Sequence, residues 1–369
     1  MAPIISTVSS LRHKRFPLLA TLFQGSFPFA FTVTFRPTYQ LPFLSRSLSS
    51  TSEMSSLSIP VNVPTATEDA DQLRKAFEGW GTNEGIIISI IAHRSAAQRH
   101  QIRHVYAEAY GDDLLKALVK ELTHDFEKLV RLWMLDSAER DATLAYESAR
   151  RWGPGNRALI EIACARSSDE LFSARRAYHA LYKRSIEEDV AAHAEGDFKK
   201  LLVLLLTAYR YEGPEVNMPL AKAEAKLLHE KIRNKAYADE EMIRILTTRS
   251  KAQLTATFNA YNNEYGHPIN KDLKSDPSDE FLSVLRAIIK CITCPEKHFE
   301  KTIRLAIGKI GTDEGALTRV IATRAEVDMA VIKELYYKRN SVPLFRAIKK
   351  DTTGDYEDFL VALVGEEGA

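Results

Sequence analysis

Cysteine is scarce in this chain, with three residues among 369: Cys164, Cys291 and Cys294. So few cysteines exclude a disulfide-stabilised scaffold and are typical of a reducing compartment. The sequence also lacks any Asn-x-Ser/Thr acceptor for N-glycosylation, which fits a chain that is not secreted. We therefore expect a globular core that is stabilised by apolar burial.

An excess of basic charge is missing as well. The chain has 50 Lys and Arg against 49 Asp and Glu, a formal net charge of +1. This balance excludes a strongly basic nucleic-acid binder, so we expect no nucleic acid among its partners. The charge is unevenly distributed, because residues 1–53 hold five bases and one acid and leave 45 bases and 48 acids in residues 54–369. The body of the protein is therefore mildly acidic.

The leader, residues 1–53, contains no acid before Glu53. It resembles an organelle transit peptide, because it is rich in Ser, bears Arg and lacks acids. It also fits dispensable upstream sequence ahead of a start at Met54. A third interpretation, a secretory or membrane signal, rests on the apolar residues 16–35, which prolines interrupt. All three interpretations predict a leader that is disordered and lies outside the fold.

Residues 54–369 have no continuous apolar run of about 20 residues, the length that a membrane-spanning helix requires, and no strand-like alternation. What they do contain is a fourfold internal repeat, which predicts a repetitive architecture. Arginines at positions 94, 166, 249 and 324 are each followed, at one constant interval, by an acid and an aromatic residue. We assign the repeats to residues 65–137, 138–211, 220–294 and 295–369.

Each repeat has the pattern of α-helices. The segments Glu84–Arg94 and Phe198–Tyr209 are apolar on nearly every side, which is typical of buried helices. Amphipathic segments such as Gln98–Tyr110 and Ala221–Lys235 lie between them. The sequence therefore predicts an all-α fold of four packed repeats with about five helices each.

The fixed offset between arginine and acid predicts an ion pair in each repeat. A buried guanidinium needs a carboxylate partner or several carbonyls. The acids at this offset are Asp125, Asp197, Glu280 and Asp355. We interpret these pairs as structural.

Repeats 1 and 4 share a further pattern, a glycine loop and a distant acid. Glu121 follows Gly81 by forty residues, and Asp351 follows Gly311 by the same interval. Repeat 2 has His193 at the acid position, and repeat 3 has Ala236-Tyr237-Ala238 in its loop.

These residue types suit a hard cation. Glycine lets the backbone bend so that successive carbonyls converge. Calcium takes six to eight oxygens from carbonyls, carboxylates and water, whereas magnesium requires a smaller octahedral shell. A loop with three carbonyls and one carboxylate leaves positions open for water or a lipid phosphate. The pattern favours calcium, held weakly until an anionic membrane completes its shell.

The fourfold repeat and the loop Gly79-Trp80-Gly81-Thr82 with its distant acid resemble the annexin family, and their details resemble its plant members. The resemblance covers residues 65–369 and implies a curved disc of four five-helix repeats. It also implies calcium-dependent binding to acidic phospholipid membranes. Carried over by position, it implies calcium ligands in repeats 1 and 4. They are the carbonyls of Phe77, Gly79 and Gly81 with the Glu121 carboxylate, and those of Ile307, Lys309 and Gly311 with the Asp351 carboxylate.

Repeat 4 departs from the family pattern, because Lys309 stands where a glycine is usual and Gly308 comes one place early. A carbonyl can come from any residue, so the expected site remains. Trp80 and Ile310 occupy the loop tips, and we expect both to contact lipid.

Further features of the resemblance are weaker. It implies a redox role for Cys164 and Cys291, although buried inert thiols are the commoner state of such cysteines. It adds actin as a partner through Ile243-Arg244-Ile245. Three such residues at helical spacing are more often ordinary core and surface positions of a helix than a binding motif. We expect a monomer or weak oligomer in the cytoplasm, peripheral at membranes when calcium is present. Organelle import is expected only if the leader is a transit peptide.

Two other function classes stay open beside non-enzymatic membrane binding. A peroxidase-like activity rests on His93, and nucleotide hydrolysis rests on Asp351-Thr-Thr-Gly354. Neither has a visible haem pocket or phosphate loop beside it. A calcium-conducting form would need a membrane-associated state other than a spanning helix. We therefore predict that the protein is not an enzyme.

Overall fold

The computed structural model describes residues 54–78, 81–150, 157–207, 209–276, 278–308 and 311–366. Within these ranges the regular structure is helical and contains no strand. The prediction of an all-α fold is therefore confirmed. The leader, with its three interpretations, lies outside the described residues.

The described ranges contain twenty helices, which fall into four sets of five. The first ten helices are α1 (Ala66–Ala76), α2 (Glu84–Ile91), α3 (Ala96–Tyr110), α4 (Leu114–Glu121), α5 (His124–Met134), α6 (Ser137–Arg150), α7 (Ala158–Ala165), α8 (Ser168–Tyr182), α9 (Ile186–His193) and α10 (Gly196–Thr207). The other ten are α11 (Met218–Arg233), α12 (Glu240–Thr248), α13 (Lys251–Tyr265), α14 (Ile269–Asp272), α15 (Glu280–Thr293), α16 (Pro295–Ile307), α17 (Glu314–Arg324), α18 (Met329–Asn340), α19 (Leu344–Asp351) and α20 (Gly354–Val364). Helices α6 and α11 begin one and two residues before the repeat starts assigned at 138 and 220.

A serine directly after the repeated arginine starts the third helix of repeats 1 to 3. The side chains of Ser95, Ser167 and Ser250 each accept a hydrogen bond from the backbone N–H three residues later. Such caps satisfy an N–H group that the helix itself leaves free. Repeat 4 has Ala325 at this place, and its third helix begins only at Met329.

The helices predicted to be buried form much of the core. Ile87 and Ile91 of α2 are at most 1% exposed, and Leu201 and Leu205 of α10 are at most 2% exposed. However, α10 is open on one side, because Leu204 is 41% exposed. The prediction of complete burial is therefore right for most of α10 and wrong for this side.

The four repeated arginines bind carboxylates, but the predicted partners are wrong. In repeats 1 to 3 the partner is an acid that precedes the arginine at a constant interval. These pairs are Arg94–Asp69, Arg166–Asp141 and Arg249–Glu224, each with an N–O distance of 2.7 Å. The acids predicted as partners, which follow the arginines, lie instead in the first turns of α5, α10, α15 and α20. A carboxylate is stabilised there by the helix dipole.

Repeat 4 replaces this pair with a local one. Phe299 stands at the position before Arg324 that the partner acid occupies in the other repeats, so no carboxylate is available there. The Arg324 guanidinium instead lies 2.5 Å from Asp328 Oδ2 and covers the Phe299 ring, whose centroid is 4.5 Å away. The arginine of repeat 4 is thus also paired with a carboxylate, but with one that follows it by four residues.

A buried carboxylate, Glu161 of α7, joins repeat 2 to repeat 4. Arg319 Nε donates to Glu161 Oε2 at 2.8 Å, and His298 Nε2 lies 3.1 Å from Oε1. Burial alone would raise the pKa of Glu161, but the charge of Arg319 and the hydrogen bond with His298 lower this pKa to about 2. These contacts make Glu161 the ionic centre of the repeat 2–repeat 4 interface.

Candidate metal centres in repeats 1 and 4

The loop of repeat 1 connects α1 to α2 and is closed at its base by backbone and side-chain bonds. The Asn83 N–H donates to the Ala76 carbonyl at 2.9 Å, and the Asn83 side chain caps α2. Gly81 has a φ of +105°, a backbone conformation that residues with a Cβ atom rarely adopt. The glycine predicted at this position is therefore required by the course of the backbone.

The distant acid of repeat 1 lies against this loop. Thr82 Oγ1 donates to Glu121 Oε2 at 3.3 Å, across 39 residues of sequence. Glu121 ends α4, and its side chain is 28% exposed. Its other oxygen, Oε1, lies 3.5 Å from Lys120 Nζ, whose side chain is itself 83% exposed. The carboxylate is thus fixed beside the loop and remains open to solvent.

Repeat 4 repeats this arrangement. The Asp313 N–H donates to the Ala306 carbonyl at 3.0 Å, and Gly311 has a φ of +82°. Thr312 Oγ1 donates to Asp351 Oδ2 at 2.6 Å and also lies 2.9 Å from the Asp351 carbonyl oxygen. A threonine after the left-handed glycine therefore holds the acid in both repeats.

The displaced glycine of repeat 4 has a structural cause. Gly308 is the C-cap of α16, and a Cβ there would lie 2.8 Å from the Arg304 carbonyl oxygen. Helix α16 includes Ile307, whereas α1 ends one position earlier and has Phe77 as its cap. Gly308 thus ends a longer helix.

Both carboxylates line one cleft of about 390 Å³ between repeats 1 and 4. Among the residues that the structure describes, six acids line it and no lysine or arginine does. They are Glu84, Glu121, Asp125, Glu314, Asp351 and Asp355. Phe126 also lines the cleft, and its ring meets that of the buried Phe359 edge to face with centroids 5.9 Å apart. A concave surface of one charge sign raises the local concentration of the opposite ion, here a cation.

The donor set in these loops fits a hard cation. In the described ranges no three His, Cys, Asp or Glu side chains stand close enough together to hold a metal. A cation would therefore depend on backbone oxygens with a single carboxylate, a mixture that calcium accepts and that zinc does not favour. A lone carboxylate leaves the ion with net positive charge, which agrees with weak binding in solution.

Repeats 2 and 3 differ at the same positions. The His193 ring bonds back to the Asp189 carbonyl, with Nδ1 2.7 Å from the oxygen. Asp276 accepts from the N–H and Oγ of Ser278 at 2.9 and 2.6 Å, and these bonds lower its pKa. The acid of repeat 3 is therefore engaged in its own turn, and the repeat 3 loop has Ala236 in place of glycine.

Several predicted residues lie outside the described residues, and the structure adds nothing about them. They are the carbonyl donors Gly79 and Lys309 and the lipid-contact residues Trp80 and Ile310. The calcium ligands and lipid contacts therefore stay predictions, although the loop ends and both carboxylates are in place.

The residues of the remaining motifs are either buried or bonded to the backbone. Cys164 and Cys291 are buried free thiols, and burial raises the pKa of Cys164 to about 11 and that of Cys291 well above its usual value. High pKa values disfavour the reactive thiolate. Ile243 and Ile245, of the motif compared with actin binding, are at most 3% exposed. The His93 ring lies 2.9 Å from the Ser58 carbonyl oxygen.

Replacing Gly81 by Ala should strain the repeat 1 loop. We expect a loss of about 1–3 kcal/mol in the free energy of unfolding, because alanine is unfavourable at a φ of +105°. Gly85→Ala is the matched control, since Gly85 lies in α2 and its added Cβ would meet Asn83 Oδ1 at an ordinary 3.5 Å. That variant should be neutral or more stable by up to about 1 kcal/mol. Urea unfolding of both variants measures the difference, and equal stability would contradict the prediction.

The sequence and the structure both match known proteins. The family model described as Annexin matches four segments, residues 68–133, 140–205, 223–288 and 298–363. Annexin Gh1 of Gossypium hirsutum is 64% identical over 309 residues, which cover 84% of this chain and 98% of that protein. Annexin D2 of Arabidopsis thaliana is 61% identical over 317 residues, 86% of this chain and 100% of that protein.

Solved structures agree with the sequence matches. Annexin III superposes with a TM-score of 0.78 at 32% identity and covers 85% of this chain and 98% of its own. A calcium-bound annexin (Sm)1 superposes with a TM-score of 0.72 at 27% identity, covering 85% of this chain and 93% of its own. Four repeats of this kind therefore account for the whole described helical body.

Proposed function

The chain belongs to the annexin family and is similar to its plant members, and on that premise we propose that calcium in the loops of repeats 1 and 4 attaches it to acidic phospholipid membranes. Calcium-dependent phospholipid binding is the general property of the family. The observation that carries the assignment to these two loops is the pair of threonine–carboxylate bonds, Thr82–Glu121 and Thr312–Asp351. Each bond holds an acid beside a loop that bends at a left-handed glycine.

The residues of each loop have distinct tasks in this proposal. Glu121 and Asp351 supply the negative charge, and the carbonyls of Phe77, Gly79 and Gly81, or of Ile307, Lys309 and Gly311, supply the neutral oxygens. Calcium, when bound, would join these oxygens to a lipid phosphate. Thr82 and Thr312 position the carboxylates, and Trp80 and Ile310 would enter the interfacial region of the lipid.

Charge explains why the metal should be required. The body of the chain is mildly acidic, and six carboxylates line the cleft beside the loops. An anionic membrane repels such a surface, and calcium reverses the sign locally. Attachment to membranes should therefore be reversible with calcium, and we propose the cytoplasm as the location of the unattached protein. Among the helices of the described ranges we find none that combines the length and the hydropathy of a membrane span.

Co-sedimentation with vesicles tests this function. We expect the chain to sediment with phosphatidylserine-containing vesicles in calcium and to stay in the supernatant in EGTA. Vesicles of phosphatidylcholine alone are the control, and they should recover much less protein at the same calcium concentration. Equal sedimentation in calcium and in EGTA would show that the loops do not act as proposed.

A further inference from the structure

A second cleft, of about 250 Å³, lies where α14, α15 and α16 meet the residue that precedes α7. Its charge is opposite to that of the cleft between repeats 1 and 4. Of the described part of the chain, six cationic side chains and no Asp or Glu line it. This basic cleft is defined by Arg157, Lys271, Lys274, Arg286, Lys290 and Lys301.

The lysines of the basic cleft lack a directly bound carboxylate among the described residues. None of its four lysines forms an ion pair with a carboxylate of the described chain. The nearby Glu300 is already bound by Arg304 at 3.1 Å and faces Arg339 at 3.7 Å. Burial, together with the charges of Lys290 and Arg157, lowers the pKa of Lys301 to about 8. The cations therefore destabilise one another.

The two arginines are held in place by neutral groups. Arg157 donates to Ser283 Oγ at 2.6 Å and to the Ser283 carbonyl at 3.3 Å. Arg286 donates to the Leu273 carbonyl. Neither of these contacts neutralises the guanidinium charge, so both arginines are positioned and keep N–H donors for another acceptor.

A neutral polar group in the same cleft also lacks a partner. Asn270 lines the cleft, and its side-chain oxygen is buried and accepts no hydrogen bond within the described chain. A buried acceptor without a partner is costly, and a hydroxyl donor would remove that cost. A ligand hydroxyl that reaches this atom as the cleft side chains adjust would satisfy it, which favours a hydroxyl-bearing anion over a bare one.

We propose that the basic cleft binds the phosphate groups of a small phosphorylated polyol. Lysine and arginine together are the usual ligands of phosphate, which accepts several charge-assisted hydrogen bonds at once. The volume lies just below the range of about 300–1,000 Å³ that is typical of small-molecule pockets, so the ligand is compact. The same chemistry is offered by a free inositol phosphate and by a phosphoinositide headgroup.

Calorimetric titration of the full chain in EGTA tests the proposal without involving the calcium loops. We expect inositol trisphosphate to bind, to raise the melting temperature, and to bind more tightly than inorganic pyrophosphate, which lacks a hydroxyl. Vesicles of phosphatidylcholine with a phosphoinositide identify the source. Binding of the soluble probe indicates a free anion, and binding to these vesicles alone indicates a headgroup. If neither is bound, the proposal is wrong.

The variant Lys290→Gln, Lys301→Gln removes two cations of the basic cleft. We expect its affinity for inositol trisphosphate to fall about a hundredfold, at about tenfold for each lost charge-assisted bond. Without ligand it should melt no lower than the wild type, because repulsion is relieved. The control Lys222→Gln, Lys297→Gln removes two exposed lysines outside the cleft. If the affinity for inositol trisphosphate falls equally in both variants, the loss reflects net charge alone and the proposal is wrong.

Discussion

The double variant Glu121→Gln, Asp351→Asn should lose calcium-dependent sedimentation with phosphatidylserine vesicles and keep its helical fold. Each substitution replaces a carboxylate with a neutral amide of the same shape, so the ion loses its only charged protein ligand in each loop. A charge-assisted contact contributes about 1.5–3 kcal/mol, and at a fixed calcium concentration we expect recovery in the pellet to fall about tenfold or more. Both side chains are partly exposed, so circular dichroism and the melting temperature should change little.

A control with the same change in charge separates a ligand effect from an electrostatic one. Asp197→Asn, Asp276→Asn also removes two exposed acids, one from repeat 2 and one from repeat 3. It should sediment slightly better than the wild type, because the body becomes less acidic and approaches the anionic lipid more easily. If the double variant of repeats 1 and 4 sediments like this control, the ligand assignment is wrong.

The architecture was accessible from the sequence because it is repeated. A single arginine with a following acid would carry little information, but four copies at one offset define the unit and the number of units. The helices follow from apolar periodicity, which is a local signal. The same repetition identified the two loops that have both a glycine and a distant acid.

The partners of the repeated arginines could not be chosen in the same way. An offset shows which residues recur, and contact depends on which helices lie side by side. The acids that bind Arg94, Arg166 and Arg249 also recur at a constant interval, on the N-terminal side of each arginine, so this signal was present in the sequence. The interval does not hold in repeat 4, because Phe299 stands at the position of the acid and Asp328 provides the carboxylate instead.

Contacts between repeats were beyond sequence reasoning altogether. Glu161 is separated from Arg319 by 158 residues and from His298 by 137. No repeated spacing includes these residues, because they serve one interface and not a unit. The basic cleft has the same origin, since its cations come from α14 and the turn after it, from α15 and α16, and from the residue before α7. Both features arise only when the repeats pack.

Glu161→Gln should be among the most destabilising substitutions in the chain. The Glu161 side chain is 6% exposed, that of Arg319 13% and that of His298 5%. An amide leaves the Arg319 charge buried without a counter-ion, and breaking a buried ion pair in this way costs about 3–5 kcal/mol. Urea unfolding at neutral pH measures the loss. Glu147→Gln is the control, because Glu147 binds Arg131 at 3.1 Å near the surface, with its side chain 35% exposed; it should cost at most about 1 kcal/mol.

The pH dependence of the stability difference between the wild type and Glu161→Gln identifies the cause of that difference. The folded-state pKa of Glu161 is about 2, below its ordinary value of 4.5. Between pH 2 and pH 4.5 the unfolded chain binds a proton at Glu161 that the folded chain does not. The contribution of Glu161 to folding stability is therefore complete above about pH 4.5 and is lost as pH falls toward 2. The difference between the two pKa values of Glu161 corresponds to about 3 kcal/mol in the free energy of unfolding. The stability gap between the wild type and Glu161→Gln should therefore narrow as pH is lowered from 7 to about 3.5. A gap that stays constant would attribute the loss to packing instead of to the ion pair.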